Sequence, residues 1–345
     1  MKAAVLEKIN SPLVVEDVEL GDLSSGQVLV KILVSGICGA QLQEIAGNKG
    51  NAKYVPHLLG HEGCGIVEKI GEGVTRVEKG DKVVIHWRKG EGMESDFPEY
   101  VFRGKTIRSG KSTTFGEYSI VSENRVTPVP QDTPNDFCAL LGCGLSTALG
   151  AISTEASMRP GERIMIIGLG GLGACLIKAA KFYRAGKIVG LDIYENKKEV
   201  VSGLGGDLFI NSAKEDIAEK LGRELGVADV DIIVDTSGHA GMISATIPLL
   251  ADGGRYIMVG QSKPGDSVEI KMANHLFGKD YGKTIKATQG GGFMPTRDIP
   301  IYVKAYREGL LDIDNLITHR TKLNDINKAI ELMRAGKANR IIIDL

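Results

Sequence analysis

The chain has 345 residues, and at about 150 residues per domain that length predicts two domains. Forty-two Lys and Arg against 43 Asp and Glu leave a net charge of −1, so no basic field draws in nucleic acid. Hydrophobic residues at 43% and charged residues at 25% suit a soluble globular protein, and no apolar run approaches the ~20 residues that span a bilayer. The first residues lack the apolar core and small-residue cleavage site of an export signal. Five cysteines, an odd and sparse count, predict free thiols in a reducing, cytoplasmic compartment. The 45 glycines, roughly twice the ~7% average share, lie among apolar runs and predict many tight turns.

In the N-terminal part of the chain, short alternating or β-branched runs at 27–34, 63–70, 81–85 and 114–121 are broken by Gly and Asp. Such spacing predicts a compact, twisted β unit. The stretch 132–155 changes to Ala, Leu and Gly at helical spacing. Six apolar strand candidates then follow at 164–167, 188–191, 208–210, 232–235, 256–259 and 284–288, the first five separated by helical stretches. That alternation predicts a parallel sheet covered on both faces, and six strands fit a complete doubly wound dinucleotide fold. The tail, 298–345, predicts two more amphipathic helices and a last strand from Arg340 to Asp344.

The first of the six strands runs into Gly168-Leu169-Gly170-Gly171-Leu172-Gly173 and a helix, and Asp192 follows at the end of the next strand. A lone GxGxxG is weak, but strand, helix and distal acid together make it a dinucleotide loop. Gly168 permits the tight turn, Gly170 the approach of a pyrophosphate, and Gly173 the close packing of helix on strand. Asp192 would accept from an adenosine ribose and repel a 2′-phosphate. Ile193 follows it where an Arg would favour NADP, although Lys197 is near. NAD is the expected cofactor over NADP.

Cys38 lies in Gly36-Ile37-Cys38-Gly39, His61 and Glu62 in Gly60-His61-Glu62-Gly63, and Cys143 in Gly142-Cys143-Gly144. Singly, each has a structural explanation as a small buried thiol or a hydrogen-bonded histidine. Their wide spacing along the chain does not bring them together. The set closely resembles, however, the zinc-dependent alcohol dehydrogenases of the medium-chain dehydrogenase/reductase superfamily, including their sorbitol-dehydrogenase-like polyol branch. The likeness extends over Gly80-Asp81-Lys82-Val83, the glycine loop, Gly282-Lys283-Thr284, Gly290-Gly291 and the ending Gly336-Lys337-Ala338-Asn339-Arg340.

That resemblance implies a GroES-like β-rich catalytic domain over 1–146, completed by 289–345, and an NAD-binding Rossmann domain over 147–288. It implies Cys38, His61 and Cys143 as ligands of one catalytic zinc with a fourth position open, and Glu62 as a carboxylate behind the metal that ligates it transiently. Arg340 is then expected at the cofactor pyrophosphate and Thr147 beside the nicotinamide. Gly171, Leu172, Lys197, Thr236, Val259 and Gln289 complete the expected cofactor contacts. Trp87, with Ala40 and Arg88, is expected at the substrate pocket, while Cys64, Cys138 and Cys175 match no ligand and are expected in the core. The implied reaction is hydride transfer between NAD(H) and an alcohol or carbonyl compound, with zinc as Lewis acid. A homodimer or homotetramer is expected by analogy, with 256–259 and the segment after it as a pairing edge.

Two departures from the family pattern matter. The stretch 87–110 contains no cysteine, so the second, structural zinc of many members is not expected, and the lobe is either ordered by packing or left mobile. Ala40 stands where members usually carry a Ser or Thr hydroxyl that passes the alcohol proton outward; either a substrate hydroxyl, water, Glu62 or His57 replaces it, or dehydrogenation is impaired. The missing hydroxyl, together with Arg88, Lys89, Arg103, Lys105, Arg108 and Lys111, points to a polyol, sugar or sugar phosphate. Interspersed Glu91, Glu94, Asp96 and Glu99 fit equally an ordinary mixed-charge surface. A zinc-free reductase of the same superfamily and a catalytically idle dinucleotide-binding protein are the competing readings.

Overall fold

The computed structural model describes residues 1–263, 265–270 and 281–345. They form two compact units, the first of Met1–Ser146, Met294–Gly309 and Ile317–Leu345, the second of Thr147–Phe293 and Leu310–Leu316. Residues 289–293 and 310–316 group with the second unit, whereas the family resemblance implies that they complete the first.

The first unit is built around a seven-stranded sheet. Val126–Pro128, Lys82–His86, Glu62–Ile70, Gln27–Ile37, Arg340–Asp344 and Ile317–Lys322 lie side by side in that order, and Tyr118–Ser122 also pairs with Gln27–Ile37. The long strand Gln27–Ile37 thus touches three neighbours, one of them from the C-terminus (Ile341 opposite Ile37). Its inward residues Val28, Val30 and Ile32 are at most 1% exposed and pack with Val67, Val83, Ile85 and Val121. Each such burial is worth about 1.5–3 kcal/mol relative to exposure. The helix Ile326–Arg334 covers another face through Ile326, Ala329 and Ile330, against Leu6, Ile37 and Ile341.

The strand expected over 114–121 begins only at Tyr118. The amides of Thr114 and Phe115 both donate to the Leu59 carbonyl, which takes this stretch off the sheet ladder.

The second unit holds six parallel strands in the order Leu208–Asn211, Lys187–Asp192, Arg163–Ile167, Val230–Asp235, Leu250–Met258 and Thr284–Ala287. This is the doubly wound arrangement. Ile164, Met165, Ile166 and Ile167 are all buried, as strands covered on both faces must be. The pairing edge expected at 256–259 needs correction. Leu250–Met258 is an inner strand and Tyr256 is fully buried, because Thr284–Ala287 pairs outside it and is itself exposed along its length. Part of the segment expected to follow that edge, 264 and 271–280, lies outside the described residues. Among the described residues, no single helix is long and apolar enough to cross a membrane.

Candidate active site

Three chain turns of the first unit carry the reactive side chains. The strand Gln27–Ile37 ends at Cys38, which begins the helix Gly39–Ile45. His61 precedes the strand Glu62–Ile70. The turn before it needs glycine: Gly60 has φ +93°, and a Cβ there would lie 2.7 Å from the Phe115 and Thr114 nitrogens. Cys143 sits between the helices Asn135–Leu141 and Gly144–Gly150. One donor atom from each of Cys38, His61 and Cys143 lies within 4.8 Å of the others, the one such group of metal-ligating side chains among the described residues.

The donor set fits a zinc ion. The Cys38 and Cys143 Sγ atoms are 3.9 Å apart, far beyond a disulfide bond. Two sulfurs on a tetrahedral zinc with bonds of about 2.3 Å stand about 3.8 Å apart. The buried His61 Nε2 has no hydrogen-bond partner, while Nδ1 meets Gln41 Nε2 at 2.5 Å. Hydrogen bonding with Cys143 draws the Cys38 thiol well below its usual range against the opposing effect of burial, and His61 adds to the shift; the same contact pushes Cys143 up.

Glu62 stands beside this group with its carboxylate turned elsewhere. It pairs with Arg340 and accepts the Gly144 backbone N–H at 3.2 Å. Burial pushes its carboxyl up, opposed by the Arg340 charge. Arg340, 1% exposed, which the family resemblance sets at the cofactor pyrophosphate, thus has Glu62 as its partner in this structure.

His61 also lines a cavity of about 900 Å³ with Glu44, Tyr54, His57, Trp87, Phe97, Glu99, Arg108, Lys111 and Arg125. The Trp87 indole Nε1 is buried without a hydrogen-bond partner. His57 donates from Nδ1 to the Leu58 carbonyl at 2.9 Å, and burial holds its imidazole below the usual value. Of the basic residues singled out from the sequence, Arg108 and Lys111 line this wall, Lys111 in an ion pair with Glu94 at 3.4 Å. Arg103 is bound to Glu7 and Glu16, and Lys89 pairs with Glu94. Arg88 and Ala40 are not among the lining residues; Ala40 sits on the first turn of Gly39–Ile45.

A carboxylate ties the cysteine-free lobe, at Met93, to the turn at Thr75 and Arg76. Glu123, 2% exposed, accepts the backbone N–H groups of Thr75, Arg76 and Met93 at 2.6, 2.7 and 2.6 Å. Ser95 and Ser122 hydroxyls add a bond of 2.8 Å. Cys64, Cys138 and Cys175 are buried, as expected.

In the second unit the glycine loop has the expected physical form. Gly168 has φ +84° and lies close to Thr236, whose hydroxyl donates to the Ile167 and Gly168 carbonyls at 3.0 and 2.9 Å. A Cβ on Gly173 would collide with the Gly168 carbonyl, whereas one on Gly170 would meet nothing. Gly171 and Leu172 open the helix Gly171–Phe182. Asp192 accepts the Leu169 and Tyr194 amides at 2.7 and 3.1 Å, fastening loop to acid. Ile193 is exposed, Lys197 and Thr147 are buried, the Val259 amide donates to the Asp235 carbonyl at 2.8 Å, and Gln289 precedes the Gly290–Gly292 turn.

Sequence reasoning passed over Gln41 as a site residue. The signal was present: Cys38 opens a helix and Gln41 stands at its third position, the spacing of a capping box.

Comparison with known proteins places the chain in a family. Residues 24–131 match the alcohol dehydrogenase GroES-like domain, and residues 171–300 match the zinc-binding dehydrogenase domain. A class-3 alcohol dehydrogenase of Pisum sativum is 30% identical over 370 residues, covering 99% of this chain and 97% of that protein. An alcohol dehydrogenase zinc-binding domain protein from Burkholderia ambifaria superposes with TM-score 0.91 at 25% identity, over 100% of this chain and 98% of the other. Benzyl alcohol dehydrogenase from Acinetobacter calcoaceticus does so with TM-score 0.88 at 25% identity, over 100% and 99%.

Proposed function

We propose that this chain, which belongs to the zinc-type medium-chain alcohol dehydrogenase family, is a zinc- and NAD-dependent oxidoreductase acting on a polyhydroxylated or anionic alcohol. The observation that carries this reading is the half-buried Cys38–His61–Cys143 group, whose sulfurs stand 3.9 Å apart beside a cavity of about 900 Å³. Bound there, zinc would supply Lewis acidity to an alcohol or carbonyl oxygen, and NAD on the glycine loop would supply the hydride acceptor.

The chain's own residues divide the remaining work. Cys38, Cys143 and His61 would hold the metal, Gln41 orients His61, and the Glu62–Arg340 pair keeps a carboxylate near the group without adding to its ligands. Tyr54, Trp87 and Phe97 give the cavity aromatic walls against which a substrate carbon chain would pack. His57 is the group best suited to take the alcohol proton in place of the hydroxyl absent at Ala40, because Nδ1 carries the hydrogen donated to Leu58 and Nε2 is then the basic nitrogen of the ring. Glu62 is fully buried and engaged by Arg340 and Gly144, which argues against it in that role.

Arg108 on the wall supports an anionic or hydroxyl-rich substrate such as a polyol, sugar or sugar phosphate, whereas Lys111 is already held by Glu94 and the Ser95 carbonyl. Asp192 supports NAD over NADP. The exposed edge Thr284–Ala287 supports a homo-oligomer, and five free thiols support a cytoplasmic setting. The test is NAD reduction across polyols, sugars, sugar phosphates and short aliphatic alcohols. Turnover is expected highest among the first three, and a strong preference for short aliphatic alcohols would contradict the substrate class.

A further inference from the structure

Gln41 is 1% exposed and meets two members of the metal group at once. Its Oε1 accepts the Cys38 backbone N–H at 2.9 Å, and its Nε2 lies 2.5 Å from His61 Nδ1. A backbone N–H only donates, so it fixes the amide oxygen on its own side and turns the NH2 toward the ring. An amide NH2 also only donates. His61 Nδ1 is therefore the acceptor, and the hydrogen of the neutral ring sits on Nε2, the nitrogen that would hold a metal.

Ligation through Nε2 requires the opposite pattern, with the hydrogen on Nδ1 and donated to a neighbour. Gln41 then faces two donors, Cys38 N–H and His61 Nδ1–H, at opposite ends of a side chain whose single acceptor atom reaches one of them. Turning the amide over satisfies the ring and sets the NH2 against the Cys38 N–H; leaving it does the reverse. A carboxylate in the same place would accept from both.

We propose that Gln41 is a positioning residue that weakens this site's hold on its divalent cation, by matching the hydrogen pattern of the metal-free site instead of the loaded one. This role rests on reading Cys38, His61 and Cys143 as a metal site. Neighbours that orient a ligating histidine typically change metal affinity about 10–100-fold, and Gln41→Glu is expected to tighten binding by that factor.

The test uses the full chain and its Gln41→Glu variant, both stripped of metal with thiols reduced, titrated with zinc against a chromophoric chelator. Binding by Gln41→Glu about 10–100-fold tighter than by the native chain supports the proposal; equal or weaker binding overturns it. A second measurement needs no variant. In the native chain labelled with 15N-histidine, His61 is expected to carry its hydrogen on Nε2 without metal and on Nδ1 after zinc is added. A metal-free His61 already protonated on Nδ1 overturns the role of Gln41 while leaving the metal site standing. Failure of both chains to bind zinc removes the site and this role together.

Discussion

Glu62 and Arg340 are 278 residues apart in the chain and meet as an ion pair whose side chains are 0% and 2% exposed. Removing one partner of such a pair leaves an uncompensated buried charge and costs about 3–5 kcal/mol. Arg340→Met is expected to lower unfolding free energy by that amount in urea titration. Glu62→Gln combined with Arg340→Met is expected to recover most of it. A loss in Arg340→Met below about 1 kcal/mol would show that the pair is not held as described.

The pair illustrates what the sequence could and could not disclose. The inner strands of the parallel sheet were legible because their centres are short apolar runs such as Ile164–Ile167 and Ile232–Val234, whereas Leu250–Met258 is interrupted by Asp252 and Arg255 and the edge strand Thr284–Ala287 carries Lys286 and is exposed. The glycine loop was legible because its chemistry is local: Gly168, Gly173 and Asp192 act within one strand–helix–strand unit. Glu62 with Arg340 was not, since nothing in either segment encodes a partner so distant. Grouping Cys38, His61 and Cys143 came from family resemblance, spacing being silent about it. The strand Ile317–Lys322 was missed because its alternation is half-buried and half-exposed, a weak pattern at a sheet edge. The cavity wall is assembled from the neighbourhoods of Tyr54, Phe97, Arg108 and Arg125, separate loops with no shared motif.

Glu123 joins Met93, in the lobe that carries no cysteine, to the turn at Thr75 and Arg76. Burial pushes its carboxyl up, but the three backbone donors outweigh that effect and hold it below the usual range. That stabilisation is present above the unfolded value near 4.5 and is lost as pH falls through the lower folded value. Glu123→Ala leaves three amides without their acceptor and is expected to cost about 1–3 kcal/mol. Hydrogen exchange should accelerate first at Thr75, Arg76 and Met93; unchanged protection there would refute the clamp.

His86 supplies a second acid-sensitive element. It is fully buried, donates from Nδ1 to the Arg88 carbonyl at 2.7 Å and accepts from the Thr127 hydroxyl at 3.0 Å. Burial pushes its pKa down to about 4 from 6.5. Between those values the unfolded chain binds the proton and the folded chain does not, so stability is full above pH 6.5 and falls as pH drops toward 4. At about 1.36 kcal/mol per pKa unit, the loss from this group is about 3 kcal/mol. His86→Gln should flatten the unfolding free energy between pH 6.5 and 4; an unchanged slope would place the acid sensitivity elsewhere.

His57 is expected to carry the alcohol proton. His57→Gln should lower kcat for alcohol oxidation by about 100-fold near neutral pH, with the deficit shrinking as external base rises with pH. Steady-state pH profiles of both chains check this. A variant with native kcat across the profile would return the role to water or to the substrate's own hydroxyls.

Everything proposed for the site depends on one metal held by Cys38, His61 and Cys143, and metal content measures that directly. Plasma mass spectrometry of the chain, purified without chelator or affinity-metal carryover, should give about one zinc per chain, falling toward zero in Cys38→Ser. A chain without zinc after growth with added metal, or one reproducibly holding two, would contradict it.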